Sequence, residues 1–348
     1  MNISNIHEYP LLAGNWHVGH QIGKGSSSVV RIGWDLKLQK YVALKYIDEN
    51  AGWERKREGS IIKYKSIYSN PFLIYPLGIV ISNGTSNYTI YTSNKKKIVY
   101  QDEDEDEDDE DLDSDFIGDI NKDVFVIIME LQYSDLRNLI NPENIISLDA
   151  TAKYLFGILN GINELHNLGI LHRDIKPENL FLTNEGDEYL KIGDFGLSRK
   201  ISKTELTPQM VTRWYRCPEL LLNETKYSGG VDIYSIALCV IEFIIGVPLL
   251  KGESEIHQLD LIKYHLGDGR YDMEKSNSSS KRFQNQRVIN IFEIISRKYS
   301  NINKDEVNII YELSDLLARM LSWYPENRPS SFDALGHSYF SFVKKKYP

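Results

Sequence analysis

Residues 172–179 read HRDIKPEN, and fifteen positions after that run the chain reads DFG at 194–196. The first run crowds two basic groups, two acids and an amide together, with Asp174 beside Lys176 and Asn179 and a second Asp, Asp194, soon after. Singly, such residues are surface ion pairs and solvated lysines. A third stretch points to phosphate: IGKGSSSVV at 22–30 spaces Gly23 and Gly25 so that backbone N–H groups could approach a triphosphate. Alone it is a weak signal, since a tight turn between two strands uses the same residues.

The elements that must position these groups show as a change of period. From His17 to Ile47 apolar and polar residues alternate over short stretches (VGHQIG, SVVRIGW, YVALKYI), the period of strands, and VFVIIMEL at 124–131 reads as a more buried strand. VVRIGW continues as a strand, so the glycine loop does not open the helix that a dinucleotide site needs. A Walker A loop is absent too. Later the spacing becomes helical. Asp149 or Thr151 is expected to cap a helix whose Ala152, Leu155, Phe156, Leu159, Ile162 and Leu165 share a face, ending near Gly169. The same spacing returns at Ile309, Leu313, Leu316, Leu317 and Met320. The expectation is an α+β chain, a smaller sheet-rich part before a larger helical part, with a cleft between them as the default ligand site. The Ser-rich run near 276–280 reads as a loop, and no internal repeat is evident.

Composition bounds the rest. The 348 residues are 42% apolar, ample for a packed core. The opening MNISNIHEYPLLAG lacks the basic and apolar regions of a secretory signal, and the oily run at 236–250 holds Glu242 and Pro248, which makes it a buried core helix rather than a bilayer span. Cys217 and Cys239 give neither a disulfide framework nor a zinc spacing and fit a reducing compartment. The net charge of −9 is local: 102–111 are ten consecutive acids, and Asp113 and Asp115 bring the stretch to twelve. Setting those aside leaves 37 of the 49 acids against 40 bases. Such a block repels itself and reads as a disordered insertion, either a docking tail for a basic partner or a solvated loop of no consequence.

The ordered set formed by the glycine loop, VALK ending at Lys45, HRDIKPEN, DFG and RCPE ending at Glu219 spans almost the entire chain and resembles the eukaryotic protein kinases. The resemblance implies a bilobal fold: an extension at 1–16, a small β-rich N-lobe at 17–131 with the acidic disordered insertion near 82–122, a larger helical C-lobe at 132–343 and a basic tail at 344–348. It implies ATP and Mg²⁺ as cofactors. Lys45 would hold the α- and β-phosphates, oriented by Glu58 of the following helix, with Glu54 as the fallback because the connection is short. Asp194 would hold one Mg²⁺ and Asn179 a second, Asp174 would accept the proton of the attacking hydroxyl, and Lys176 would neutralise the γ-phosphate. Ser28 stands where a third glycine is common. Ile22, Val30, Ala43 and Phe181 would sandwich the base and Met129 guard its back pocket, although core packing would use the same apolar residues. Glu130 and Gln132 would offer backbone groups to adenine, with Asp135 at the ribose. His172 and Asp232 read as structural, and Glu219 as the partner of Arg328.

VTRWYRCPELLL at 211–222 and REGSIIK around Glu58 resemble the cyclin-dependent and mitogen-activated branch, closest to the cyclin-dependent type. That branch phosphorylates Ser or Thr before Pro. Arg216 would capture the carbonyl of Val211, leaving no acceptor for a substrate N–H at the next position, which suits proline. Thr207 matches the activating phosphothreonine, gripped by Arg57, Arg173 and Arg199. Tyr234 and Ala237 depart from the usual Trp and Gly, and the signature cyclin-contacting sequence is missing, so a cyclin-like subunit stays an open question. The other partners implied are proteins with Ser/Thr-Pro sites, with no nucleic acid and no membrane, in the cytoplasm, the nucleus or both. The alternative is a pseudokinase scaffold that recruits a basic partner through the acidic tract. Lys45, Asp174, Asn179 and Asp194 are all present, which argues for turnover.

Overall fold

The computed structural model describes residues 9–64, 67, 69–82, 88–92, 96–99, 124–144, 146–182, 190–200, 212–267, 278–299 and 302–341. The chain divides into one unit of Met1–Tyr133 with Gly193–Leu197 and another of Ser134–Ile192 with Ser198–Pro348. The first unit is an antiparallel sheet in the order β1 (Leu11–Leu12), β2 (Trp16–Lys24), β3 (Ser28–Asp35), β4 (Lys40–Ile47), β8 (Val124–Glu130), β5 (Pro76–Ser82), β6 (Tyr88–Tyr91) and β7 (Lys96–Val99).

Alternate side chains feed the two faces of this sheet. Ile47, Ile79, Ile81, Phe125 and Ile127 pack on the side of Ala51 and Ile62, while Val42, Leu44, Val80, Val126 and Ile128 pack on the side of Leu12 and Trp16. Both faces are covered, which is why β8 shows an unbroken apolar run in place of alternation. The same pleat turns Lys45 toward the face where helix α1 (Gly52–Ser60) lies.

Two sequence expectations change in this unit. Residues 11–16 are not an appendage: β1 pairs with β2, and Leu12 and Trp16 are buried. Nor is the stretch 82–122 wholly an insertion, since β6 and β7 extend the sheet within it and Ile90 and Tyr91 are buried. Like-charge repulsion dominates only the acidic tract, which lies outside the described residues, and the Tyr- and Ile-rich segment before it has the β propensity to pair.

The second unit carries α2 (Leu136–Leu139), α3 (Leu148–Asn167), α4 (Pro218–Leu221), α5 (Gly230–Ile245), α6 (Glu255–Leu266), α7 (Ser278–Ser296), α8 (Lys304–Met320) and α9 (Ser331–Leu335). Its strands are β9 (Ser134–Asp135), β10 (Ile170–Leu171), β11 (Leu180–Leu182), β12 (Lys191–Ile192) and β13 (Arg199–Lys200), paired β12-β11-β9 and β10-β13. Ser147, not Asp149 or Thr151, caps α3. Ser147 Oγ accepts from Ala150 N at 3.1 Å, whereas Asp149 lies in the first turn paired with Lys153, and the Thr151 hydroxyl bonds back to the Ser147 carbonyl. The expected face of α3 is buried except for the half-buried Phe156, and Ile158 joins it.

The oily run 236–250 overruns its helix. α5 stops at Ile245 because Gly246 has φ +83°, and a Cβ there would lie 2.5 Å from Pro142 Cα. Ser278–Ser280, expected as loop, begin α7, in keeping with the preference of Ser for helix starts. Among the described residues no helix is long and apolar enough to cross a membrane.

Buried acids bolt this unit together. Glu219 takes both terminal nitrogens of Arg328 at 2.7 and 2.8 Å, and the guanidinium lies 4.9 Å from the Tyr234 ring centre. Glu242, fully buried, accepts from Tyr215 Oη at 2.6 Å and from Arg137. Removing one partner of a buried ion pair strands the other's charge. Glu219→Ala should therefore lower stability by about 3–5 kcal/mol, read as a shift of the urea midpoint, and a loss below about 1 kcal/mol, the worth of an exposed pair, would refute that assignment.

Candidate active site

In the first unit the hairpin β2–β3 turns through Gly25, Ser26 and Ser27. Gly25 N donates to the Ser28 carbonyl at 2.8 Å, and Asp48 N donates to the Ser27 carbonyl at 2.8 Å, which pins the tip to the end of β4. Gly25 leaves little room: a Cβ there would stand 3.1 Å from Ser28 Oγ. Of the residues expected around a base, Val30 pairs with Lys45 and Ala43 with Met129 in register, while Ile22 is exposed.

Lys45 is buried and holds its ammonium 2.6 Å from Glu58 Oε1, 2.9 Å from Asp194 Oδ1 and 3.6 Å from Glu54 Oε1. Glu58 is thus the close partner, and the fallback Glu54 is also present. Burial alone would lower the lysine's pKa, but the fields of Glu58 and Asp194 overcome it and hold it well above the usual value. The carboxyl of Glu58 is pushed up to about 8 by burial, against the pull of Lys45 and with the push of Asp194. Desolvation of its partly buried carboxyl would raise the pKa of Asp194, but the Lys45 ammonium outweighs it and holds the group low.

Helix α1 reaches Lys45 across a short connection from Ile47 to Gly52, and Arg55 explains how. Its Nη2 donates to the Ile47 carbonyl at 2.7 Å and its Nε to the Asp48 carbonyl at 3.0 Å, with the guanidinium over Phe125 at 5.5 Å. Sequence reasoning missed this residue; the short connection was the available signal.

In the second unit Asp232, near the start of α5, receives His172 N at 2.9 Å, Arg173 N at 2.7 Å and His166 Nε2 at 2.9 Å. Arg173 takes φ +66° under this constraint, a strained backbone of the kind that surrounding contacts must over-determine. The turn delivers Asp174, whose Oδ2 receives Lys176 Nζ at 2.7 Å and Asn179 Nδ2 at 3.0 Å; Asn179 Nδ2 also donates to the Asp174 carbonyl at 2.8 Å. All three are thereby brought together. With its nitrogen committed, Asn179 has its amide oxygen left to coordinate.

Phe181 on β11 lies opposite Asp135 on β9, and Asp135 caps α2 by accepting from Asn138 N at 3.0 Å. At the end of β8, Gln132 Nε2 donates to the Glu130 carbonyl at 3.0 Å. Arg216 Nη1 is 3.3 Å from Glu255 Oε1. Arg57 stacks on Trp53 at 4.8 Å, Arg173 Nη1 donates to Tyr227 Oη at 2.8 Å, and Arg199 pairs with Leu171 across β10 and β13. Thr207 and Val211 lie outside the described residues.

The donor sets fit a nucleotide and a hard cation. Asp194 has a 40% exposed side chain, its backbone at φ +61°, and Gly196 N donating to Oδ1 at 3.3 Å. In the first unit Asp194 offers carboxylate oxygen, and in the second Asn179 offers an amide oxygen, each a donor type that Mg²⁺ takes. Lys45, kept charged, suits phosphate.

Comparison with known proteins shows the family. The family model for the protein kinase domain matches residues 16–340. Mitogen-activated protein kinase 6 of Arabidopsis thaliana is 34% identical over 221 residues, 63% of this chain and 53% of that protein. The probable serine/threonine-protein kinase KIN28 homolog of Encephalitozoon cuniculi is 35% identical over 62% of this chain and 66% of its own length, and the serine/threonine-protein kinase crk1 of Schizosaccharomyces pombe is 35% identical over 63% and 64%. The chain spans about half to two-thirds of the length of these curated relatives. With its β-rich first unit, its helical second unit and the match over 16–340, the chain belongs to the protein kinase domain family.

Proposed function

We propose that this protein is a serine/threonine protein kinase of the cyclin-dependent and mitogen-activated branch, which transfers the γ-phosphate of ATP to protein Ser or Thr followed by Pro. The observation that carries this is Lys45 held charged between Glu58 and Asp194, together with Asp174 fixed between Lys176 and Asn179. Family membership implies ATP and typically Mg²⁺, and the names of the relatives support the Ser/Thr class.

Bound Mg²⁺-ATP supplies the phosphoryl group and most of the charge neutralisation. The chain's own residues position and accept protons. Lys45, oriented by Glu58, binds the α- and β-phosphates, and Asp194 and Asn179 present oxygens to the metal. Asp174 Oδ2 is held in one direction by Lys176 and Asn179, and the carboxylate accepts the proton of the substrate hydroxyl as the new phosphoester bond forms and the bond from the γ-phosphorus to the departing ADP oxygen breaks. Lys176 lies beside the base, where its fixed positive charge would favour the negative charge developing on a transferring phosphoryl group. Arg216, with Val211, selects Pro after the acceptor residue. Two buried cysteines without a disulfide accord with a cytoplasmic or nuclear location.

Radiolabelled ATP and a generic basic protein test the reading. Wild type should transfer label, and Asp174→Ala should lose about 10²- to 10⁴-fold, the usual worth of a general base, with Asp194→Asn losing at least as much. Equal signal from all three, or none from wild type, would leave a binding scaffold instead. In a peptide library, Pro after the acceptor should outperform Ala by tenfold or more, the size expected when a buried donor is left unpaired (~1.4 kcal/mol or above); equal rates would reject proline direction. Thr207→Ala should lower activity severalfold, and mass spectrometry of active protein should find phosphate on Thr207. Fully active, unmodified protein would end that assignment.

A further inference from the structure

Glu54 is the one carboxylate at Lys45 that the chemistry above leaves without a task. It is buried, on the first turn of α1, and touches three separate segments. Its Oε2 accepts a short hydrogen bond from the Ser27 hydroxyl at the hairpin tip. Its Oε1 lies 3.6 Å from Lys45 Nζ. A Cβ built on Gly196 would sit 3.0 Å from Glu54 Cγ and 3.1 Å from Oε1, so the side chain packs on the backbone just after Asp194. Arg55 fixes the helix turn from which Glu54 projects, and the bond from Asp48 N fixes the backbone of Ser27, so both ends of the contact are placed in advance.

We propose that Glu54 is a positioning residue for nucleotide phosphates, holding the glycine-rich hairpin through Ser27 so that its backbone N–H groups stay aimed at them. The inference rests on the kinase reading. A hairpin tip made of Gly25, Ser26 and Ser27 has little side-chain packing of its own, and a glycine-rich turn gains most from an external tie. A carboxylate acceptor makes that tie stronger than a neutral one would. It also adds a second acid on α1 beside Lys45, so the helix that orients the lysine and the hairpin that covers the phosphates are held by one turn.

The test is a double-mutant cycle on the full chain with Ser27→Ala, Glu54→Ala and the pair, reading Kd for Mg²⁺-ATP and, separately, for adenosine, with KM and kcat alongside. Each single variant should weaken Mg²⁺-ATP binding on the order of tenfold, the worth of a hydrogen bond to a charged group. The double variant should be no weaker than the worse single one. Adenosine, which has nothing under the hairpin tip, should bind all of them within twofold, and Glu54→Gln, which keeps an oxygen acceptor, should recover most of the ATP affinity. Should Glu54→Ala fail to fold by thermal melting, Ser27→Ala, at a half-buried turn position, still decides. Wild-type affinity in Ser27→Ala, multiplicative losses in the pair, or equal losses for adenosine would overturn the proposal. Wild-type protein that binds no Mg²⁺-ATP would instead remove the kinase reading beneath it.

Discussion

A buried ammonium is tolerable only when opposite charge meets it, and Lys45 is met by three carboxylates. Much of the first unit follows from that requirement. The pleat of β4 decides which face Lys45 takes, and β8, buried on both sides, backs that strand. The short helix α1 has an unhelpful N-cap in Ala51 and no long apolar stripe to seat it. It is seated by polar bonds instead. Arg55 carries them to the end of β4, and Glu58 and Glu54 close the circuit at the lysine. An arginine suits this work because its planar fork reaches two carbonyls from one buried position.

The second unit solves its own version of the problem. There the buried acid is Asp232, and its partners are backbone N–H groups rather than a lysine. Receiving two successive amides forces the chain through the left-handed conformation at Arg173, and that turn presents Asp174 to Lys176 and Asn179. Asp232 is in turn held below the ordinary carboxylate range: burial opposes ionisation, but His166 and the donors at His172 and Arg173 outweigh it. In both units a buried carboxylate aims a side chain that the proposed reaction uses and that it does not itself replace.

What the sequence revealed and what it hid divide along physical lines. The residues proposed to do chemistry stand out in the sequence because phosphoryl transfer restricts residue type at fixed spacing, and the structure brings Lys45 to Asp194 and Asp174 to Asn179. Long amphipathic helices such as α8 were legible because periodicity over several turns outweighs local noise, and Ile309, Leu313, Leu316, Leu317 and Met320 are all buried. The cap of α3 was misplaced because Ser147, Asp149 and Thr151 are all good cap residues and only the backbone angle selects among them. β6 and β7 were absorbed into the charged tract because the tract's composition overwhelmed four-residue strands beside it. Arg55 and Ser27 were invisible, since neither residue type nor spacing announces a side chain whose partners are another strand's carbonyls or a glutamate 27 positions away.

Charge bookkeeping at Lys45 adds a last step. Three carboxylates against one ammonium leave an excess of negative charge in a poorly solvated place, where burial and the push of Asp194 raise the pKa of Glu58 against the pull of Lys45. If nucleotide binds here as proposed, that excess would favour one that arrives with a divalent cation, whose charge would offset the repulsion on Glu58. On that reading the acids that look excessive in number would make the site complementary to metal-bound nucleotide.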